Sequence, residues 1–226
     1  MKKYLTLLLA VLMVFAMTAC GGKSAGIGSE GTETVELTQD EFDSLMWQVA
    51  DQEGELQYRE YMPDMRFADA EIFGVDKEGN NGTAYAMLCT DEYVVLKDKA
   101  YSIAGGQGEV IIKFEYTDEA PKLTEVIWSA DGEDHDGWLE ENFPSEYLKK
   151  AKRYQAYDAD GNSILDAKIA KAAEKELGVP VETENLLQID LEAGTYEVSK
   201  TIESGTGDSY KFDTEVIDSG KLADLK

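Results

Sequence analysis

The residues with the most chemistry in them stand close together. Asp131-Gly132-Glu133-Asp134-His135-Asp136 packs four acids and the chain's single histidine into six positions. Carboxylates beside an imidazole favour its charged form, and such a group can hold a cation or report pH. The plainer role is an exposed acidic loop at the start of a helix, whose N-terminal dipole favours nearby negative charge. Asp131, Glu133, Asp134, His135 and Asp136 are therefore candidate cation ligands on residue type alone. With one imidazole in 226 residues, two-histidine metal centres are excluded and a serine–histidine scheme has a single histidine to draw on.

A second oxygen-rich run, Asp158-Ala159-Asp160-Gly161-Asn162, alternates its polar side chains as a calcium loop does. That loop needs glycine at its sixth position and glutamate at its twelfth; counted from Asp158, these are Ser163 and Ile169. A turn capping the next helix is the stronger expectation, and any calcium held by Asp158, Asp160 and Asn162 would be held weakly. Gly105-Gly106-Gln107-Gly108 falls between two strand-like runs. A phosphate cradle instead leads from strand to helix and carries Lys, Ser or Thr after its last glycine, whereas Glu109 has the wrong sign. The run reads as a flexible hairpin connection. Cys89, inside the apolar Tyr85-Ala86-Met87-Leu88-Cys89, reads as a buried inert thiol. Among 46 acids some pair must meet by chance, so a glycosidase-like carboxylate pair has no sequence signal. Tyr85, Tyr93, Tyr101, Tyr116 and Trp128 sit at strand positions, where cross-strand packing is the default.

The elements that must position these residues begin at Leu37-Thr38-Gln39-Asp40-Glu41-Phe42, a capping box with a hydrophobic staple. Phe42, Leu45, Met46 and Val49 then repeat at helical spacing, giving an amphipathic first helix that ends near Gly54. From Met65 to Ser129 the pattern turns to Val, Ile, Tyr and Phe runs separated by turn signals. Asn81-Gly82 predicts a tight turn between Phe67–Val75 and Thr83–Thr90, and Lys97-Asp98-Lys99 divides the next two runs. In Glu109–Thr117, Val110, Ile112, Phe114 and Tyr116 share one face, and the Pro121 turn leads into Leu123–Ser129. A five- or six-strand antiparallel meander follows, one face of which needs the first helix as a cover. Asn142-Phe143-Pro144-Ser145 opens a second helix reaching about Tyr154, Ile164–Leu177 forms a third before Gly178 and Pro180, and Leu186–Val216 holds three strand-like runs. The expected class is α+β, an antiparallel β-meander packed against amphipathic helices, with a small C-terminal α/β extension. Residues 37–156 form the expected main domain and 157–226 a C-terminal subdomain of helix plus strands, the alternative being one domain of about 190 residues.

Charge narrows the partners. With 21 Lys and Arg against 46 Asp and Glu, the formal charge is 21 − 46 = −25. A surface this acidic repels phosphate backbones, so no nucleic-acid partner is expected. At 43% hydrophobic and 10% aromatic residues the chain is too apolar for a disordered acidic tail.

The N-terminus carries a different chemistry. Lys2 and Lys3 precede an uncharged apolar run, Tyr4 to Met17, that is too short for a stable span of the bilayer and reads as an export signal. Met17-Thr18-Ala19-Cys20 resembles a bacterial lipobox, with Met17 where leucine is commonest. The resemblance implies cleavage after residue 19, lipid attachment at the Cys20 thiol and a lipid bilayer as partner. Residues 20–36 are the expected tether, of which Gly21 to Thr34, rich in Gly, Ser and Thr, has a reach of roughly 20 Å. Two acyl chains hold such an anchor firmly where one exchanges.

Gly82-Thr83-Ala84-Tyr85-Ala86, Gly105-Gly106-Gln107-Gly108, Ile127-Trp128-Ser129-Ala130-Asp131-Gly132 and Asn142-Phe143-Pro144 together resemble extracytoplasmic modules of Gram-positive bacteria. These occur as lipoproteins, some beside membrane metallopeptidases of the beta-lactam-sensing type. The resemblance spans about residues 65–155, transfers no catalytic residue, and the metallopeptidase motif itself is absent. It implies binding or sensing. The sequence therefore points to a lipid-anchored module on the extracytoplasmic face of the cell membrane, non-enzymatic and without a cofactor. Its acidity calls for a cationic peptide, protein or divalent cation as partner. The rival readings are a carboxylate-dependent hydrolase of cell-wall glycans and an inhibitor or immunity-like protein.

Overall fold

The computed structural model describes residues 32–52, 56–204 and 211–225. The leader, Cys20 and most of the tether lie outside the described residues. Within them, four helices and eight antiparallel strands in two sheets make a mixed α+β fold, the class expected from sequence. None of the described helices is long and apolar enough to cross a membrane.

The first sheet runs β1 (Glu33–Val35), β2 (Asp64–Glu78), β3 (Asn81–Leu96), β4 (Lys99–Glu115) and β5 (Lys122–Trp128), each strand antiparallel to the next. The two-residue period of a strand assigns its side chains to alternate faces. Ala84, Ala86, Leu88, Val110, Ile112 and Phe114 face α1 (Gln39–Asp51), which lays Leu45, Met46 and Val49 on them. The intervening Tyr85, Met87, Cys89 and Ile111 face α2 (His135–Asn142), α3 (Ser145–Ala151) and α4 (Ile164–Leu177), which supply Leu139, Tyr147, Leu165 and Ile169. The chain on either side of the 156/157 boundary thus shares one hydrophobic cluster. β6 (Asn185–Asp190), β7 (Thr195–Ser204) and β8 (Lys211–Lys221) form the second sheet. Its Leu187, Tyr196 and Val198 pack with Val94, Leu96 and Tyr101 at the end of the β3–β4 hairpin.

Local chemistry sets the helix ends. Glu41 N–H donates to Thr38 Oγ1 at 3.3 Å, and Thr38 N–H donates to Glu41 Oε2 at 2.8 Å, which closes the capping box. Asp166 N–H donates to Ser163 Oγ at the start of α4. Gly178 ends it with φ of +72°, in the left-handed region where a side chain is penalised.

Three local expectations are corrected. The tight turn lies at Gly79-Asn80, because Glu78 pairs with Asn81 and Gly79 takes φ of +59°. Gly82 has a packing role instead: a Cβ there would stand 2.3 Å from the Phe114 ring. Gly105 to Gly108 lie within β4, paired with Leu88 to Asp91 of β3, and form no hairpin connection. A Cβ at Gly105 would come within 2.6 Å of Thr90 O, so glycine is what lets these strands run on unbroken. Finally, Glu33–Val35, at the end of the expected tether, pairs with Val75–Lys77 as β1.

Candidate functional site

β4, β5 and the start of α2 border a groove of about 580 Å³ in which several sequence-level features meet. Gly106 and Gly108 contribute backbone without side chains, and nothing stands within 4 Å of where a Cβ of Gly106 would be. Trp128 flanks them. The pairing of Val110 with Trp128 places the indole at the end of β5, where it remains 39% exposed and passes 3.6 Å from a Cβ built on Gly108. Glu109, Ser129, Asp131 and His135 line the same groove.

His135 is the first residue of α2, a short helix ahead of the one expected from Asn142, which is α3. Its Nε2 stands 2.9 Å from Glu109 Oε2, and its Nδ1 stands 3.9 Å from Asp136 Oδ1. The one imidazole is thus hydrogen-bonded to a carboxylate on β4, 26 residues earlier in the chain, a partner outside the linear motif. No hydrogen bond joins it to the Ser129 hydroxyl. The groove therefore presents an aromatic face, two carboxylates and open peptide groups, the combination that suits a cationic group: indole faces attract cations and carboxylates accept their hydrogen bonds.

The other candidates lie elsewhere. Glu133 and Asp134 belong to an exposed 3-10 turn, and Asp136 points to solvent. Asp158 Oδ1 accepts from Asp160 N–H and Asn162 N–H, each at 2.9 Å, and these bonds hold its carboxyl below the usual range. That is the turn chemistry expected of the run: the Asp158 carboxylate is engaged by the turn's own N–H groups, and Asp158, Asp160 and Asn162 are all exposed. Ser163 Oγ donates to Gln107 Oε1 at 2.6 Å, tying the turn to β4 beside the groove. Among the described residues, no three or more carboxylate, imidazole or thiol groups are arranged to share a metal ion.

Two carboxyl groups, Asp64 buried and Asp91 half-buried, have no counterpart among the residues singled out from sequence. Asp64 is 5% exposed; Tyr58 N–H donates to its Oδ2 at 3.1 Å, while Oδ1 has no partner. Burial pushes its pKa up to about 6, and protonation gives the free oxygen a hydrogen for Glu92, whose carboxylate is held by Arg66 Nε at 2.5 Å. Asp91 accepts from Ser102 Oγ at 2.8 Å and is likewise pushed by burial up to about 6. The only sequence signal was Thr90-Asp91-Glu92, a polar interruption of an otherwise apolar strand. Cys89 is buried as expected. Its thiol donates to Asp166 Oδ1 at 2.7 Å, and burial together with that carboxylate drives its pKa far up, which keeps the thiolate inaccessible.

Comparison of the chain with protein-family models, curated proteins and solved structures gives no match.

Proposed function

We propose that this chain is a lipid-anchored extracytoplasmic module that binds a cationic group in the Trp128 groove and performs no catalysis. The observation that carries the reading is the exposed Trp128 indole set beside Glu109 and Asp131 over the side-chain-free backbone of Gly106 and Gly108. The formal charge of −25 adds a long-range attraction for cations, which raises encounter rates. In this reading the meander and its helices form the recognition body, residues 157–226 form a small α/β extension, and acylated Cys20 holds both at the outer face of the cell membrane.

A calorimetric titration with trilysine tests the site. Replacing Trp128 with alanine is expected to weaken binding about three- to tenfold, the range for a partly exposed cation–π contact. Glu109→Gln is expected to weaken it further at low salt, with the loss shrinking as ionic strength rises. Equal affinity across the three proteins, or tighter binding of a neutral glycan fragment than of trilysine, refutes the assignment. The anchor is tested separately by intact mass of the native product, which is expected to begin at a diacylated Cys20. A bare thiol or an uncut leader removes the membrane placement.

A further inference from the structure

We infer that the outer edge of β2 is a docking lane for an extended, basic peptide strand supplied by a partner. β1 pairs only with Val75–Lys77, so along Asp64–Gly74 no described strand lies on that side of β2. Helices cover both faces of the sheet here, and the strand edge opens into the gap between them. Two grooves, of about 750 Å³ and 380 Å³, lie along this gap and share Asp43, Met46 and Ala68. α1 walls one side with Met46 and Trp47, the latter 65% exposed; α3 and α4 wall the other with Lys150, Lys168 and Ala172. Met65–Gly74 offers a lane of about 33 Å at 3.3 Å per residue.

The edge already carries local substitutes for a neighbouring strand. Ala70 N–H donates to Asp69 Oδ1 at 2.7 Å, and Phe73 O, at the register shift between Ile72 and Gly74, accepts from Lys150 Nζ at 2.5 Å. A carboxylate oxygen thus meets a backbone N–H, and an ammonium meets a backbone carbonyl, where the carbonyl and N–H of an added strand would otherwise serve. The flanking helices select the occupant. A bare strand enters between them, whereas the β2 edge of a second copy, flanked by its own α1 and α4, meets the walls. Charge selects the composition: Glu36, Asp43 and Glu176 line the lane against Lys150, Lys168 and Arg66, of which Lys150 is engaged by Phe73 O and Arg66 by Glu92; Asp69 is engaged by Ala70 N–H, and the chain as a whole carries −25.

Hydrogen exchange read by mass spectrometry, on the full chain carrying Trp128→Ala, tests this with a capped ten-residue peptide of alternating lysine and valine. Amides of 64–74 are expected to slow by about tenfold or more on saturation, as main-chain pairing requires. A glutamate–valine counterpart is expected to bind more weakly, and one N-methylated at every amide not at all. Asp69→Ala frees Ala70 N–H and is expected to tighten binding about three- to tenfold. Ala172→Trp, at an exposed position of α4, is expected to fill the lane and abolish protection. Unchanged exchange in 64–74, equal binding of the N-methylated peptide, or protection without peptide accompanied by a doubled mass overturns the proposal, the last by making a second copy the occupant. Failure of Asp69→Ala to tighten binding counts against it independently of how Ala172→Trp folds.

Discussion

Asp64→Asn is expected to raise stability at pH 7 by up to about 3 kcal/mol, and at this chain length each kcal/mol moves Tm by about 2 to 4 °C. The cause is a carboxylate buried to 5% exposure with one oxygen lacking a partner. Its folded pKa of about 6 exceeds the unfolded value of roughly 3.9, so the folded state binds a proton that the unfolded chain releases. This stabilising proton is fully in place below about pH 4 and is lost as pH rises through about 6. Asp91, also raised to about 6, acts with the same sign. The wild-type protein should therefore gain stability on acidification from pH 7 to about pH 4.5. Glu182 acts oppositely: Lys99 holds its carboxyl down at about 2, and the stability this contributes disappears as pH falls from about 4.5 toward 2. Tm measured against pH should peak between these windows. Asp64→Asn should flatten the slope above the peak, since the amide keeps an acceptor for Tyr58 N–H and brings a donor for Glu92. A lower Tm for the variant at pH 7, or an unchanged slope, contradicts the assignment.

Gly74→Val is expected to destabilise the fold by about 3 kcal/mol, from overpacking and loss of a buried hydrogen bond. A Cβ at Gly74 would lie 2.0 Å from Tyr147 Cε1, and Tyr147 is only 2% exposed. The Tyr147 hydroxyl donates to Asp76 Oδ1 at 2.7 Å and stands 3.3 Å from Thr34 Oγ1, so it links α3 to β2 and to β1. Its ring centroid is 5.2 Å from that of Tyr85. Displacing the ring should loosen β1 before the rest of the sheet, visible as faster exchange at 33–35. In a Tyr147→Ala background, itself costing about 3 to 5 kcal/mol, the same Gly74→Val should cost little, because the clash has been removed. Urea denaturation of the four proteins measures this coupling, and additive losses would show that the two residues do not oppose one another.

Much of the positioning framework was legible because it rests on short-range rules. Thr38 and Glu41 mark the start of α1, Ser163 and Gly178 bracket α4, and the alternation of Val110, Ile112 and Phe114 names the face that α1 covers. What was hidden depends on partners distant in sequence. Gly82 and Gly105 look like turn residues in isolation, and only the Phe114 ring and the Thr90 carbonyl across the ladder reveal that they serve close approach. His135 stood out by its type, but Glu109, its hydrogen-bond partner, lies 26 residues earlier, on β4. The buried Asp64 and the half-buried Asp91 are hidden among many acids, since the loss of water that distinguishes them is a property of the folded sheet. Trp128 looks like a packing residue in sequence, and it does pass along Gly108, yet it stays 39% exposed.

A cationic group seated against Trp128 should be visible by two-dimensional nuclear magnetic resonance of the indole Nε1–H during a trilysine titration. The Trp128 signal is expected to shift saturably together with the backbone amides of Gly106, Gly108 and Glu109, all fitting one dissociation constant that weakens with added salt. A Trp128 signal that stays in place while trilysine binds elsewhere, or shifts that fail to saturate, would contradict that seating.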